Sequence, residues 1–388
     1  MNRRQFLAAS GAALGVLVGC SSRTNRSLPT APTGTWRHRG HDAHNTNRGA
    51  AAVPARGSVA WTAGDVGDAT PLVADGVVYT AASTVSALDA QTGETVWEHA
   101  LPSDVSATPA LSQSTLLVPT ADHLVALDAA DGSHQWATPL AQPAGTAVTA
   151  SAGRVVVPLP DRGLVAYDTD GGERRWRDVT LGSRQPAIAD GVVYTTGYRD
   201  DGNTACLRAL NAADGSRRWT TDIDHPDTPP VLTDAGVLVG AGGALVEFDR
   251  STGRRRRVLE PVGEAVREPL AVGDGTAFVT SYDGAVVAVS LADGTRRWRV
   301  DADVMAGTGI SIGRAAAVAS VTSHPDTDAP GVVALDASNG SLRWAHPIEG
   351  FDAAVSAAPV LADGAVFYPS SDQVGVVALG DLPATTDN

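Results

Sequence analysis

Ala87-Leu88-Asp89-Ala90-Gln91-Thr92-Gly93-Glu94-Thr95-Val96-Trp97 decides the fold, because its pattern Asp-x3-Gly-x3-Trp returns at near-regular intervals along the chain. It recurs as Asp128/Gly132/Trp136, Asp168/Gly172/Trp176, Asn211/Gly215/Trp219, Asp249/Gly253/Arg257, Ser290/Gly294/Trp298 and Asp336/Gly340/Trp344. Arg257 alone breaks the tryptophan series. An Asp or Asn side chain accepts backbone N–H groups in a turn, and glycine takes a positive φ without steric cost. The spacing therefore predicts a closed hairpin. The tryptophan follows at a fixed distance on the outgoing strand, where an indole burying roughly 150–250 Å² docks on the next unit.

A second signal precedes each copy. Thr70-Pro71-Leu72-Val73-Ala74-Asp75-Gly76-Val77-Val78-Tyr79 is echoed at 185–194, 268–279 and 358–368. Asp-Gly between two apolar β-branched runs marks a hairpin. Each period then reads as four short strands, the blade of a β-propeller, and a spacing near forty residues suits such blades. The ends fix the number. The last repeat stops after three strands at Gly380, whereas Gly57-Ser58-Val59-Ala60-Trp61 is an orphan outer strand. Sharing one blade between the termini removes a free sheet edge and brings the count to eight. The expected fold is an all-β, eight-bladed propeller of four-stranded antiparallel blades, with the last blade shared. Trp61, Trp97, Trp136, Trp176, Trp219, Trp298 and Trp344 are the expected docking residues.

The run Ala-x-Asp-x-x-Thr-Gly-x-x-x-Trp resembles the docking motif of the PQQ-like, quinoprotein-type β-propellers, a family that includes BamB-type lipoproteins. The resemblance covers roughly residues 36–380. It implies the fold directly, whereas one fold hosts many functions.

Composition narrows the class. All 29 basic residues are Arg, against 43 Asp plus Glu, for a net charge of −14. A nucleic-acid partner is not expected for such an acidic chain. The acidic, Lys-free composition resembles proteins of extreme halophiles, where the Debye length falls to about 3 Å at 1 M salt and self-repulsion is screened. Of the two cysteines, Cys206 is expected on a blade strand, and no disulfide framework is possible.

Arg3-Arg4-Gln5-Phe6-Leu7 and the apolar run to Gly19 read as a twin-arginine export signal over 1–19. Leu17-Val18-Gly19-Cys20 resembles a lipobox, which implies cleavage before Cys20 and lipid on its thiol. The chain is expected on the outer side of the cell membrane, held by that lipid, as a monomer. Residues 20–35 read as a flexible tether and 381–388 as a disordered tail, leaving 36–380 as the propeller. His38, His41 and His44 surround Asp42 at three-residue spacing, but no helix or hairpin is predicted to converge them on a metal. The stretch from Trp36 to Thr46 also resembles the segment that precedes the first blade in the family and packs against the body.

Long connections fall on one face. They contribute Tyr198, Arg199, Asp200 and Asp201 from one blade, His225 and Asp227 from a blade-to-blade link, and His324, Asp326 and Asp328 from a third loop. This acidic face is the candidate binding surface. No Gly-x-Ser-x-Gly elbow or phosphate-binding loop occurs. The strands expected to line the channel supply mainly Thr, Ala, Pro and Val. No catalytic, cofactor-binding or metal residue is assigned, and no cofactor is expected. The reading is a non-catalytic scaffold for an unidentified membrane or cell-surface protein. The alternatives are a quinone- or metal-dependent oxidoreductase and a surface binding protein for a small ligand or sugar.

Overall fold

The computed structural model describes residues 25–65, 67, 69–199, 201–259, 266–281, 283–304, 309–323, 330–348, 357–370 and 375–383. Among them every regular element is a strand. The first blade runs outward through Leu72–Ala74, Val77–Ala81, Thr84–Asp89 and Thr95–Ala100. Six more begin at inner strands Ala110–Ser112, Thr149–Ser151, Ala187–Ala189, Val231–Leu232, Val266–Gly273 and Ile310–Arg314. Their outer strands are His134–Pro139, Arg174–Asp178, Arg217–Asp222, Arg255–Val258, Arg296–Asp301 and Leu342–Pro347. The eighth sheet joins Val360–Ala362, Ala365–Ser370 and Gly375–Gly380 to Ser58–Ala63, with Trp61 opposite Ala378. The blade shared between distant ends of the chain is thus present.

The repeated turn works as its chemistry requires. The Asp89 carboxylate accepts Gln91 N (2.9 Å) and Thr92 N (2.8 Å), while Gly93 N reaches the Asp89 carbonyl at 2.8 Å. The inner hairpin at Asp75 and Gly76 has φ of 52° and 77°, the paired positive values of a type I′ turn. All eight outer strands slip register by one residue just ahead of the Trp position, a β-bulge that re-aims the side chains around it.

Docking has two components. Each indole N–H donates to the carbonyl one residue past the turn Asp of the next blade: Trp61 to Ala90 (3.2 Å), Trp97 to Ala129 (3.0 Å), Trp176 to Ala212 (2.9 Å) and so around the ring. Trp344 closes the ring on Pro54 at 2.7 Å. The ring face of the same indole lies on the next turn's glycine. A Cβ built on Gly132 would sit 2.4 Å from Trp97 Cε3, and one on Gly57 2.5 Å from Trp344 Cε3. Glycine is therefore required for clearance as well as for φ. In the fifth blade Arg257 replaces the indole: its guanidinium donates to the Leu291 carbonyl and to Ala292 O at 3.1 Å, and Leu259 lies under Gly294. The substitution conserves the hydrogen bond and divides the packing between two side chains. The apolar core follows the same plan, with clusters lying between adjacent blades and the largest at the closing blade.

Residues 36–52 circle the channel. Trp36 pairs with Val73, Arg37 O accepts Leu111 N (2.8 Å), and His38 Nε2 meets Ala150 (3.0 Å to O). Ala43, His44, Thr46 and Asn47 then accept Ile188, Leu232, Val272 and Ile312 N–H groups at 2.6, 3.0, 2.8 and 2.8 Å. Ala52 ends the circuit on Gly364 (2.9 Å). One pass of chain thus meets every blade in order at its inner strand or the turn after it. Arg48–Ala52 also lies parallel to Ile310–Arg314 as a fifth strand.

Two expectations fail. From Asn25 the segment read as a flexible tether is a packed strap: Leu28 is 2% exposed, Leu28 N donates to Gln91 O (2.8 Å), Gln91 Nε2 returns to Leu28 O (3.0 Å), and Arg26 N reaches Ala60 O (2.8 Å). An apolar residue in a polar run docks because Gly380 leaves a gap where the termini meet. The segment read as a disordered tail starts ordered: Asp381 accepts Ala55 N (3.0 Å) and Arg56 N (2.7 Å), and Leu382 is buried. The export signal over 1–19 and Cys20 lie outside the described residues.

Candidate functional site

The circling segment decides what the channel offers. Arg37 to His41 form a tight reversal, with His41 at a φ of 74°, that brings Arg39 to a cavity of about 550 Å³. Its walls are blade-to-blade links of small residues, among them Gly67, Ala69, Ser106, Ala107, Gly145 and Ala147. A second cavity of about 330 Å³ shares Arg39, Gly145 and Thr146 and adds Arg184, whose Nε donates to Pro226 O at 2.6 Å. The channel therefore carries two guanidinium groups beside the Thr, Ala, Pro and Val expected to make up most of its lining. The signal for Arg184 lay in the repeat: two residues before the proline that opens the inner strand, Ala69 and Ala107 give way to Arg184. Arg39 had no such signal, because its position depends on the path of the circling segment.

The three histidines of that segment do not converge. His38 is buried against Ala150, and burial lowers its pKa to about 4, keeping the imidazole neutral. Its Nδ1 has no partner among the described residues. His41 stands edge-on to Trp36 at 4.9 Å. Asp42 organises the turn, accepting His44 N (3.0 Å), Thr46 N (3.1 Å) and Thr46 Oγ1 (2.9 Å). Burial pushes its pKa up, but the His41 and Thr46 bonds outweigh burial and leave the carboxyl below its ordinary range. Among the described residues no group of three or more His, Cys, Asp or Glu is placed to hold a metal ion.

On the loop face, Tyr198, Arg199, Asp201, His225 and Asp227 meet where the fourth blade passes to the fifth. Tyr198 pairs through its backbone with Leu181 and stands edge-on to His225 at 6.4 Å. Arg199 binds Asp222 (Nε to Oδ1 2.8 Å), which raises its pKa. Asp201 closes its own loop on Asn203 N and Thr204 N, both at 2.8 Å, and these bonds hold its carboxyl below the ordinary value. Asp227 accepts Gly243 N (2.8 Å) and faces His225 Nδ1 (3.0 Å). Among the described residues of this face, Arg199, Asp201, His225 and Asp227 are thus engaged in shaping the loops. Asp200, His324, Asp326 and Asp328 lie outside the described residues. Cys206 is buried, and burial raises its thiol pKa, the state of a packing residue.

The family model described as "Outer membrane protein assembly factor BamB" matches residues 81–203 and 203–386, and the chain belongs to that family. BamB of Yersinia pestis is 27% identical over 155 residues, covering 35% of this chain and 37% of the relative, so the chain spans little more than a third of that protein's length. The crystal structure of BamB from Moraxella catarrhalis superposes with a TM-score of 0.65 at 20% identity, over 84% of this chain and 99% of that one. Quinohemoprotein alcohol dehydrogenase from Comamonas testosteroni gives a TM-score of 0.69 at 16% identity, over 90% and 82%. These structural likenesses carry the fold alone.

Proposed function

We propose that this chain is a non-catalytic scaffold, held on the outer side of the cell membrane by lipid on Cys20, that presents the propeller to a membrane or cell-surface protein. The observation that carries the reading is the circling segment, which commits one end of the channel to structure by bonding to every blade. Family membership supports it, since the name of the family is that of an assembly factor. The dehydrogenase resemblance raises the question of a quinone. The described lining holds the guanidinium groups of Arg39 and Arg184, one carboxylate, Asp104, and no aromatic ring for a planar cofactor to stack on. These residues do not fit a metal-chelating quinone.

The test joins anchor and partner. Cys20→Ser is expected to release the protein from the membrane fraction, and the wild-type chain is expected to co-purify with a defined membrane protein in native extracts at high salt. Unchanged membrane retention of Cys20→Ser would remove the anchor. Stoichiometric quinone uptake with dye reduction would replace the scaffold by an oxidoreductase.

A further inference from the structure

The outer wall of the propeller is electrostatically lopsided. At the bulge ahead of the docking position, four consecutive blades carry Arg-Arg pairs: Arg174 and Arg175, Arg217 and Arg218, Arg255 and Arg256, Arg296 and Arg297. The same positions in the eighth, first and second blades are Val59 and Ala60, Thr95 and Val96, His134 and Gln135, and in the seventh Leu342 and Arg343, the latter bound to Asp336 at 2.7 Å. Arg174, Arg217, Arg218, Arg254, Arg255 and Arg297 are exposed and make no ion pair among the described residues. The carboxylates on these strands do not neutralise them. Asp178, Asp222 and Asp301 sit at the far strand ends and pair with Arg208, Arg199 and Arg299. Asp214 and Asp293 in the adjoining turns accept their own backbone N–H groups. Unpaired, solvated guanidinium groups repeated over half the ring of a protein of net charge −14 form a surface that no internal structural need explains.

We propose that this arginine arc on blades three to six docks an acidic polypeptide segment of a partner protein. Bidentate guanidinium–carboxylate pairing supplies the chemistry, and the bulge spreads successive arginines along the wall. The anchoring membrane is a poor occupant for a geometric reason, which rests on the Cys20 anchor proposed above. Asn25 binds Thr62 on the eighth blade, across the ring from blades four and five. Five residues from Cys20 reach at most about 18 Å, too short to carry the far wall round to the bilayer. A convex wall also meets a flat surface along one or two blades, whereas a flexible segment follows all four. A long nucleic acid would run past the arc onto the acidic remainder of the surface and be repelled.

The test uses the purified full chain and a fluorescein-labelled dodecamer of Glu and Gly residues, followed by anisotropy in about 0.3 M KCl, where the Debye length is below about 8 Å. Saturable binding is expected, and the variant Arg174→Gln/Arg217→Gln/Arg218→Gln/Arg297→Gln is expected to bind about tenfold more weakly with an unchanged melting curve. Arg37→Gln/Arg314→Gln, which removes two charges outside the arc, is expected to bind as the wild type does. Equal loss in both variants would reduce the arc to net charge and overturn the proposal. So would absence of peptide binding, or tighter arc-dependent binding of phosphatidylglycerol vesicles or of single-stranded DNA. Because the peptide assay needs no lipid, failure of the Cys20 anchor and failure of the arc are read separately.

Discussion

Gly132→Ala separates the two reasons for glycine in the repeat. The added Cβ would stand 2.4 Å from Trp97 Cε3, 2.8 Å from Cδ2 and 2.9 Å from Cζ3. The indole cannot retreat freely, because its N–H is held by Ala129 O of the same turn at 3.0 Å. Overpacking of this kind costs about 1–3 kcal/mol. The φ of 72° adds about 1–2 kcal/mol for any L-residue, giving about 2–5 kcal/mol in all. Gly76→Ala supplies the control: its φ is 77°, but nothing lies within 4 Å of the new Cβ, so only the backbone cost of about 1–2 kcal/mol remains. Gly294→Ala falls between, since Leu259 Cδ2 stands 3.1 Å away. Guanidinium chloride unfolding of the three variants beside the wild type reads the order directly. Adding Trp97→Ala to Gly132→Ala should erase most of the excess over Gly76→Ala. If Gly132→Ala is no more destabilising than Gly76→Ala, the clearance account of docking is wrong and the glycine serves the turn alone.

Two further outcomes test the chain that encircles and closes the ring. Burial lowers the His38 pKa to about 4 from 6.5, so the unfolded chain binds a proton that the folded chain refuses between those values. Stability is therefore full above about pH 6.5, falls as pH drops toward 4 and then levels, a loss of about 3 kcal/mol that melts across this window measure. His38→Gln, which does not titrate, should flatten that segment, while Asp336, pulled to about 2 chiefly by its Ser338 bond, acts only at lower pH. Leu28→Ala in the strap should cost about 2–5 kcal/mol, because the side chain is 2% exposed. An unchanged melting temperature would return residues 25–35 to the status of a tether.

The blades were legible because every feature that makes one is local. Asp89, Gly93 and Trp97 lie within nine positions, and each acts through a turn or a bulge built from those same residues. The shared eighth blade was legible for a different reason: Gly57 and Trp61 form half a motif whose missing strands stand at the other end of the chain. What stayed hidden depends on contacts between distant segments. The pattern around Trp36 marked a packing segment, but not that it would meet eight blades in sequence or set Arg39 in the channel. Ser, Thr and Pro dominate the strap and give it the composition of a tether, and one leucine facing the space beside Gly380 reverses that expectation. On the loop face, composition points to carboxylates in the connections, and of the candidate binding residues Asp201 and Asp227 are the two carboxylates among the described residues. Composition has no means of showing that Asp201 turns inward to accept Asn203 N and Asp227 to accept Gly243 N.

The repeat also explains where function has room to sit. Docking leaves little freedom at the turn Asp, the glycine and the indole, since each is bonded within or across a blade, and even Arg257 preserves the hydrogen bond it inherits. Residues ahead of the docking position carry no such duty: they project from a bulge into solvent and contribute little to the neighbouring blade. A propeller can therefore change the charge of its wall blade by blade at small cost in stability. Four adjacent blades use that freedom in the same way, with arginine, whereas the blades where the termini close use it for Val, Ala, Thr and Gln. If composition alone were responsible for the arginines, they would scatter over all eight outer strands, because all eight offer the same solvated positions. Paired arginines are confined to blades three to six, and the single arginine at these positions of the seventh blade, Arg343, is bound to Asp336, so the unpaired charge lies on one half of the ring, as the proposed docking of an acidic segment requires.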